Sequence, residues 1–194
     1  MFKVGDKIVY PMHGAGVIET IEERAILDEK QSYYIIKMPS EVKVMVPTAK
    51  AEEIGVRNII DKETAGKVIN VLEQDSTEMS MKWNKRYRDN VEKLKTGDIF
   101  EVADIVRNLS FKQKEKGLST TEKKMLLNAK QILVSELVLS EDKQKEEVEA
   151  LVENKINSSY ELHILAPKEE LPKAVGMDTE VQTENVVKKF ISAN

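Results

Sequence analysis

The segment Val42-Lys43-Val44-Met45-Val46-Pro47 marks the point where this chain changes from one kind of secondary structure to another. Its valines alternate with Lys43 and Met45, which is the pattern of a half-buried strand, and Pro47 ends the run. Beyond Pro47 the apolar residues recur at helical spacing instead. We therefore predict an α+β protein, with strands before this point and helices after it.

Three further strand-like runs precede this segment, at residues 7–10, 17–22 and 33–38. Turn sequences separate them: His13-Gly14-Ala15-Gly16, whose glycines tolerate positive φ, then 28–31 and 39–41. Short consecutive strands joined by tight turns are typical of a small antiparallel barrel or meander. We therefore predict that the first fifty residues form such a module.

Capping signals divide the remainder into helices. Asp61 is a candidate N-cap, and Asp98 with Glu101 and Ser119 with Glu122 match the capping-box pattern. Gly117 is a candidate C-cap. The charged run 140–157 carries one apolar stripe and predicts a further helix. Residues 158–194 contain two prolines and mixed polarity, and we treat them as an appendage.

Composition and charge exclude several classes of protein. The 194 residues include no cysteine, so there is neither a disulfide framework nor a thiolate metal site. No window resembles a signal peptide or a membrane span, so we expect a soluble, cytoplasmic protein. The net charge of −4 conceals a basic block, because residues 82–130 contain 13 Lys and Arg against 7 Asp and Glu, a balance of +6. Such a block favours a local binding face, with a solvated helical surface as the alternative.

The stretch Met81–Arg88 holds the only tryptophan of the chain among basic residues. Cations attract phosphate, and a flat apolar ring can stack on bases or wedge between them. Trp83 also shares a helical stripe with Tyr87, Val91 and Leu94, so a core position is the alternative interpretation. The stripe alone leaves both interpretations open.

Enzymatic motifs find little support in the sequence. The two histidines, His13 and His163, lie in dissimilar segments, and no nucleophile elbow, zinc motif or acidic metal loop occurs. The glycine turn at 13–16 joins two strands and lacks the Lys-Ser/Thr of a phosphate loop. We therefore predict a binding protein that needs no cofactor or metal.

Ordered blocks along residues 2–157 resemble the CarD/CdnL family of bacterial transcription regulators. They are Phe2-Lys3-Val4-Gly5-Asp6, Val9-Tyr10-Pro11-Met12-His13-Gly14, Trp83-Asn84-Lys85-Arg86-Tyr87, Leu94-Lys95-Thr96-Gly97-Asp98, Val106-Arg107-Asn108-Leu109, Lys116-Gly117-Leu118-Ser119, Glu122-Lys123-Lys124-Met125-Leu126 and Ala129-Lys130-Gln131-Ile132-Leu133. The N-terminal module is also similar to the polymerase-interacting domain of transcription-repair coupling factors. The tail after about residue 158 lies outside the pattern.

The resemblance implies a Tudor-like N-terminal β-barrel, residues 1–52, that binds the RNA polymerase β subunit through positions matched by Arg24, Ile26 and Met45. Met45 stands where some members carry an arginine, a departure that bears on the strength of polymerase binding. The resemblance further implies an all-α domain, residues 53–157, that touches promoter DNA at the upstream edge of the melted region. The extension 158–194 has no implied role.

In that family a tryptophan inserts into the minor groove and holds the bubble open, and Trp83 matches it. Lys85, Arg86, Arg88 and Lys123 match basic positions that hold phosphates. We expect a regulator that stabilises the open complex as a monomer, without base-specific contacts. The alternative is a protein–protein adaptor, in which the acidic helix at 141–157 and the barrel bind partners and the basic face binds no DNA.

Overall fold

The computed structural model describes residues 1–26 and 29–165. Its elements in chain order are β1 (Lys7–Tyr10), β2 (Gly14–Ile26), β3 (Glu29–Lys37), β4 (Lys43–Pro47), a 3₁₀ turn (Thr48–Lys50), α1 (Ala51–Ile54), β5 (Arg57–Asn58), α2 (Lys62–Leu72), α3 (Trp83–Thr96), α4 (Ile99–Glu115), α5 (Thr120–Glu141) and α6 (Lys145–Leu165). The α+β class with strands first and helices second is confirmed. Within the described ranges no helix is both long and apolar enough to cross a membrane.

The strands form one antiparallel sheet in the order β4-β3-β2-β1-β5. The sheet is open, because β4 and β5 lie at its two edges and do not pair with each other. Of the two predicted alternatives, a barrel or a meander, β1 to β4 form an open meander, and β5 adds a fifth strand beside β1. This fifth strand comes after Pro47 and has only two residues, too few to show a strand period in the sequence.

The first turn lies earlier than predicted. Gly14 already pairs with Tyr10 and Gly16 with Ile8, so both glycines belong to β2, and Pro11–His13 make the turn. Gly16 is required by packing, since a Cβ there would lie 2.5 Å from Ile36 Cγ2 and 2.7 Å from the carbonyl oxygen of Lys37. Its role is the close approach of β2 to β3.

Two apolar cores form. One face of the sheet buries a small core that includes Ile8, Ile18, Tyr34, Ile36 and Val46 against α1. The larger core lies among the helices, where α4 packs against α2, α3, α5 and α6. The predicted inner face of α4, Val102, Ile105, Val106 and Leu109, is fully buried there.

The sheet is joined to α5 by polar contacts. The backbone N–H of Ala15 donates to Ser135 Oγ at 2.8 Å. Glu136, 1% exposed, accepts from Arg57 Nη1 at 2.6 Å, from Arg57 Nη2 at 3.0 Å and from the N–H of Ile60 at 3.1 Å. These bonds fix the strand module on the helical domain. Separating the two would leave the buried Glu136 carboxylate without its partners, which is strongly unfavourable.

The predicted helix boundaries hold in part. Ser119 and Glu122 form the capping box, and Asp61 caps α2 through the N–H of Thr64 at 2.7 Å. Asp98 caps α4 through the N–H of Phe100 at 2.8 Å, but no box forms, because Glu101 pairs with Lys93 of α3.

The last predicted helix has different bounds. Ser140 and Glu141 complete α5, and α6 continues to Leu165, so residues 158–165 are helical. Expectations for residues 166–194 lie outside the described residues.

Candidate nucleic-acid interface

Trp83 is the first residue of α3 and is 59% exposed. Along the stripe that it begins, Tyr87 and Val91 are half-buried against the helical core, and Leu94 is buried. The stripe therefore enters the core only toward its C-terminal end. The interpretation of Trp83 as a core residue is wrong, because its ring projects from the start of the helix.

The start of α3 lacks the usual stabilising groups. Lys82, at the N-cap position, has extended backbone but no capping side-chain bond, and no acidic residue occupies the first turn. The first turns instead carry Lys85, Arg86 and Arg88, whose charges oppose the positive end of the helix dipole. A nearby anion would therefore stabilise this end of the helix. Of its basic residues, only Arg86 forms an ion pair with a carboxylate in the described part of the chain.

Five exposed cations lie on or beside this end of α3. They are Lys82, Lys85, Arg88, Lys123 and Lys124, and within the described ranges none of them forms an ion pair. Lys123 and Lys124 directly follow Glu122 on α5. They lie beside α3 because Glu122 contacts Arg86 of that helix. Unpaired surface cations are the groups with which proteins hold phosphates.

Arg86 departs from the predicted phosphate contact. It is 5% exposed, and its Nε and Nη2 donate to Glu122 Oε1 at 2.8 and 2.5 Å. Its Nη1 donates to the carbonyl of Ser80 at 2.6 Å. Because four hydrogen bonds direct its donors to partners inside the protein, we withdraw Arg86 from the candidate DNA contacts.

Glu122 stays ionised in this setting. Burial raises the pKa of its carboxyl, but hydrogen bonds from Arg86 and Ser119 outweigh burial and leave the pKa below its usual value. The Ser119 hydroxyl donates to Glu122 Oε2 at 2.9 Å, so both carboxylate oxygens have partners. The sequence showed Glu122 as a capping residue only, because its contact with Arg86 spans 36 positions.

Two lysines at the C-terminal end of α4, Lys112 within the helix and Lys116 directly after it, were not among the predicted site residues. Lys112 and Lys116 line a small depression of about 130 Å³ together with Met81 and Arg86. They therefore lie beside the segment that leads into Trp83. Their spacing of four residues places them on one helix face, which is the only signal that the sequence offers for them.

The residues matched to polymerase contacts lie on the sheet. Met45, 43% exposed, is on the edge strand β4 and pairs with Ile35. Arg24 pairs with Gln31, which lies four residues from Ile35 along β3, so Arg24 and Met45 share one face. Ile26 is the last residue of β2, in register with Glu29. The structure thus brings Arg24 and Met45 onto one surface.

Arg24 is engaged by a neighbour on its own strand. Its Nη2 and Nε donate to Glu22 Oε2 at 2.7 and 3.0 Å, and this bond lowers the pKa of the Glu22 carboxyl. The pair is exposed, so it is weak and can rearrange when a partner binds.

A cavity of about 680 Å³ lies elsewhere, between the β3–β4 turn and helices α5 and α6. It contains none of the predicted binding residues. The candidate interface is therefore the basic surface around Trp83, where the small depression has a volume of only about 130 Å³, and such a surface suits an extended polymer better than a small molecule.

The molecule has two parts, an open antiparallel sheet and a helical domain to which the sheet is fixed. The helical domain exposes one tryptophan among unpaired cations. Family models agree with this division. Residues 2–60 match "CarD-like/TRCF RID domain" and residues 67–153 match "CarD, C-terminal domain". A curated protein of Bacillus subtilis (strain 168), "Putative transcription factor YdeB", is 46% identical over 138 residues, which cover 71% of this chain and 90% of that protein.

The chain belongs to the CarD family. The sheet is the Tudor-like module of that family. The family resemblance stated from the sequence is confirmed.

Proposed function

We propose that this protein binds the RNA polymerase β subunit through its sheet and stabilises the promoter open complex through Trp83 at the upstream fork of the bubble. The single observation that carries the proposal is the exposure of Trp83 at an uncapped helix start, among cations that the described residues leave unpaired. An exposed apolar ring among cations can insert between base steps while the cations hold phosphates.

Trp83 would act as a wedge in the minor groove. Insertion of an apolar ring between base steps partly unstacks them, a cost that is smallest where the duplex is already melting. The ring needs no base-specific hydrogen bond, so the preference is for forked or deformable DNA and not for one sequence. If the contact favours the open over the closed complex by about 1.4 kcal/mol, the ratio of the two changes about tenfold.

Lys85, Arg88 and Lys123 would hold phosphates on either side of the wedge. Each such contact adds salt dependence without reading sequence. Their exposure and lack of ion pairs in the described ranges support this assignment. Lys112 and Lys116 are placed to extend the same surface.

Arg24, Ile26 and Met45 would contact the polymerase. The free edge of β4 beside Met45 could add to a sheet of the partner, in which case main-chain hydrogen bonds supply affinity. The Arg57–Glu136 pair would then hold Trp83 in a fixed position relative to the bound polymerase, because it joins the sheet rigidly to the helices. Tethering makes the DNA contact effectively intramolecular, at a local concentration on the order of millimolar.

The proposal includes a monomeric, cytoplasmic protein that works without a cofactor. Its sign of regulation depends on the promoter. An unstable open complex gains lifetime, whereas a complex that is already stable gains nothing or escapes more slowly.

The second candidate is a protein–protein adaptor that binds no DNA. The observation that favours it is the exposed side chain of Met45 on the edge strand β4, which can meet a partner without help from the helical domain. In that case the basic surface would be solvated helix.

Binding to forked DNA separates the two candidates. The affinity of the full chain for a fork with an unpaired upstream edge would be measured against the matching duplex, over a series of salt concentrations. Under the proposal the fork binds more tightly, and affinity falls steeply with salt. Equal and negligible binding to both DNAs, with polymerase binding intact, would support the adaptor.

A further inference from the structure

Arg86 joins three parts of the protein at one guanidinium. It lies on the first turn of α3, it donates to Glu122 on the first turn of α5, and it donates to two backbone carbonyls of the segment before α3. Those carbonyls are Ser80 O at 2.6 Å and Met81 O at 3.4 Å, and the guanidinium donates to both. The planar group suits this role because its donors point in fixed directions.

The start of α3 depends on these contacts. The N-cap has no side-chain bond and the first turn has no acid, so local sequence gives the helix end little support. The only carboxylate described at this end comes from α5, through Arg86. Without it the first turn would fray, since cations at a helix N-terminus are unfavourable.

We infer that Arg86, although it touches no DNA, is the positioning residue that holds Trp83 and Lys123 in one fixed arrangement. Trp83 lies three residues before Arg86 on α3, and Lys123 follows its partner Glu122 on α5. The Arg86–Glu122 pair therefore sets the relation between the ring and a phosphate-binding cation. For its effect on DNA, this inference rests on the proposed function.

The contacts distinguish this role from a direct phosphate contact. The side chains of Arg86 and Glu122 are 5% and 4% exposed, and the hydrogen bonds described for both go to partners inside the protein. A phosphate could reach Arg86 only if Glu122 released it. That exchange would leave a buried carboxylate without its partner, which is strongly unfavourable.

The test uses the fact that Trp83 is the only tryptophan, so fluorescence excited at a wavelength that the five tyrosines do not absorb reports on this residue alone. Two variants are compared with wild type. Arg86→Lys keeps the charge but cannot reach the carboxylate and both carbonyls at once. The double variant Arg86→Met, Glu122→Met removes both charges together, which avoids a buried unpaired ion and preserves folding. Lys95→Met, an exposed change at the far end of α3, is the matched control.

The expected result is a loss of fluorescence anisotropy of Trp83 in the free protein for both variants, with circular dichroism unchanged. The Lys95→Met control should retain the wild-type anisotropy. Unchanged anisotropy in both Arg86 variants would overturn the inference, because Trp83 would then be held by something else.

Open-complex lifetime supplies the second measurement. Arg86→Lys should shorten the lifetime toward that of Trp83→Ala, and it should cause no further loss in a chain that already carries Trp83→Ala. An equal loss in both backgrounds would mean that Arg86 acts on the open complex independently of Trp83 and would overturn the inference. If Trp83→Ala alone leaves the lifetime unchanged, the proposed function fails, and the anisotropy still decides whether Arg86 positions the ring.

Discussion

Replacing Glu136 by alanine should lower the free energy of unfolding, because Glu136 joins the sheet to the helices. The contacts of Glu136 set the size of the expected loss. Glu136 is almost wholly buried and accepts three hydrogen bonds, two from Arg57 and one from the N–H of Ile60. Removing one partner of a buried pair typically costs about 3–5 kcal/mol. The Arg57 side chain is 32% exposed and can recover part of its hydration, so we expect about 2–4 kcal/mol.

The measurement is urea unfolding of the wild type, Glu136→Ala and Glu136→Gln. The glutamine keeps an acceptor for Ile60 but loses the charge, so its loss of stability should lie between the other two. Glu63→Gln is the matched control, because Glu63 pairs with Lys67 on the open surface of α2, and its change should stay near zero. A loss below about 1 kcal/mol for Glu136→Ala would refute the idea that this pair fixes the sheet on the helices.

Three further predictions follow from single contacts. Gly16→Ala should destabilise the fold by about 1–3 kcal/mol in urea unfolding, because its Cβ would press on Ile36 and on the backbone of β3, and a neutral result would contradict the packing. The pKa of Glu122 is lowered in the folded state, so its contribution to stability is present above the ordinary value of 4.5 and is lost as the pH falls through the folded pKa. The difference in unfolding free energy between wild type and Glu122→Gln should accordingly shrink in acid, and a constant difference across that range would count against the ionised pair. Met45→Arg should tighten binding to RNA polymerase in a pull-down or titration, and an unchanged affinity would remove Met45 from the proposed contact surface.

Much of the fold was visible in the sequence because local patterns decided it. The alternation at 42–47, the capping residues Asp61 and Ser119, and the apolar face of α4 all correspond to elements that form where they were predicted. The open sheet was not visible, because closure depends on strand pairing over long separations. The two-residue β5 also has too little sequence to carry a period.

The candidate site was likewise predictable only in part. The sequence located the tryptophan and the basic block, but it could not say whether Trp83 faces the core or water, since one helical stripe fits both. It also grouped Arg86 with Lys85 and Arg88 as cations of one kind. The distinction depends on Glu122, a residue 36 positions away that only tertiary packing brings to Arg86.

The central claim is that an exposed Trp83 stabilises the melted promoter. The most direct measurement is the lifetime of open complexes formed by bacterial RNA polymerase on an unstable promoter, with no added protein, with wild type and with Trp83→Ala. Wild type should lengthen the lifetime, and Trp83→Ala, folded by circular dichroism and still bound to polymerase, should not. A lifetime that is equally long with Trp83→Ala, or unchanged by wild type when it is bound to polymerase, would contradict the account.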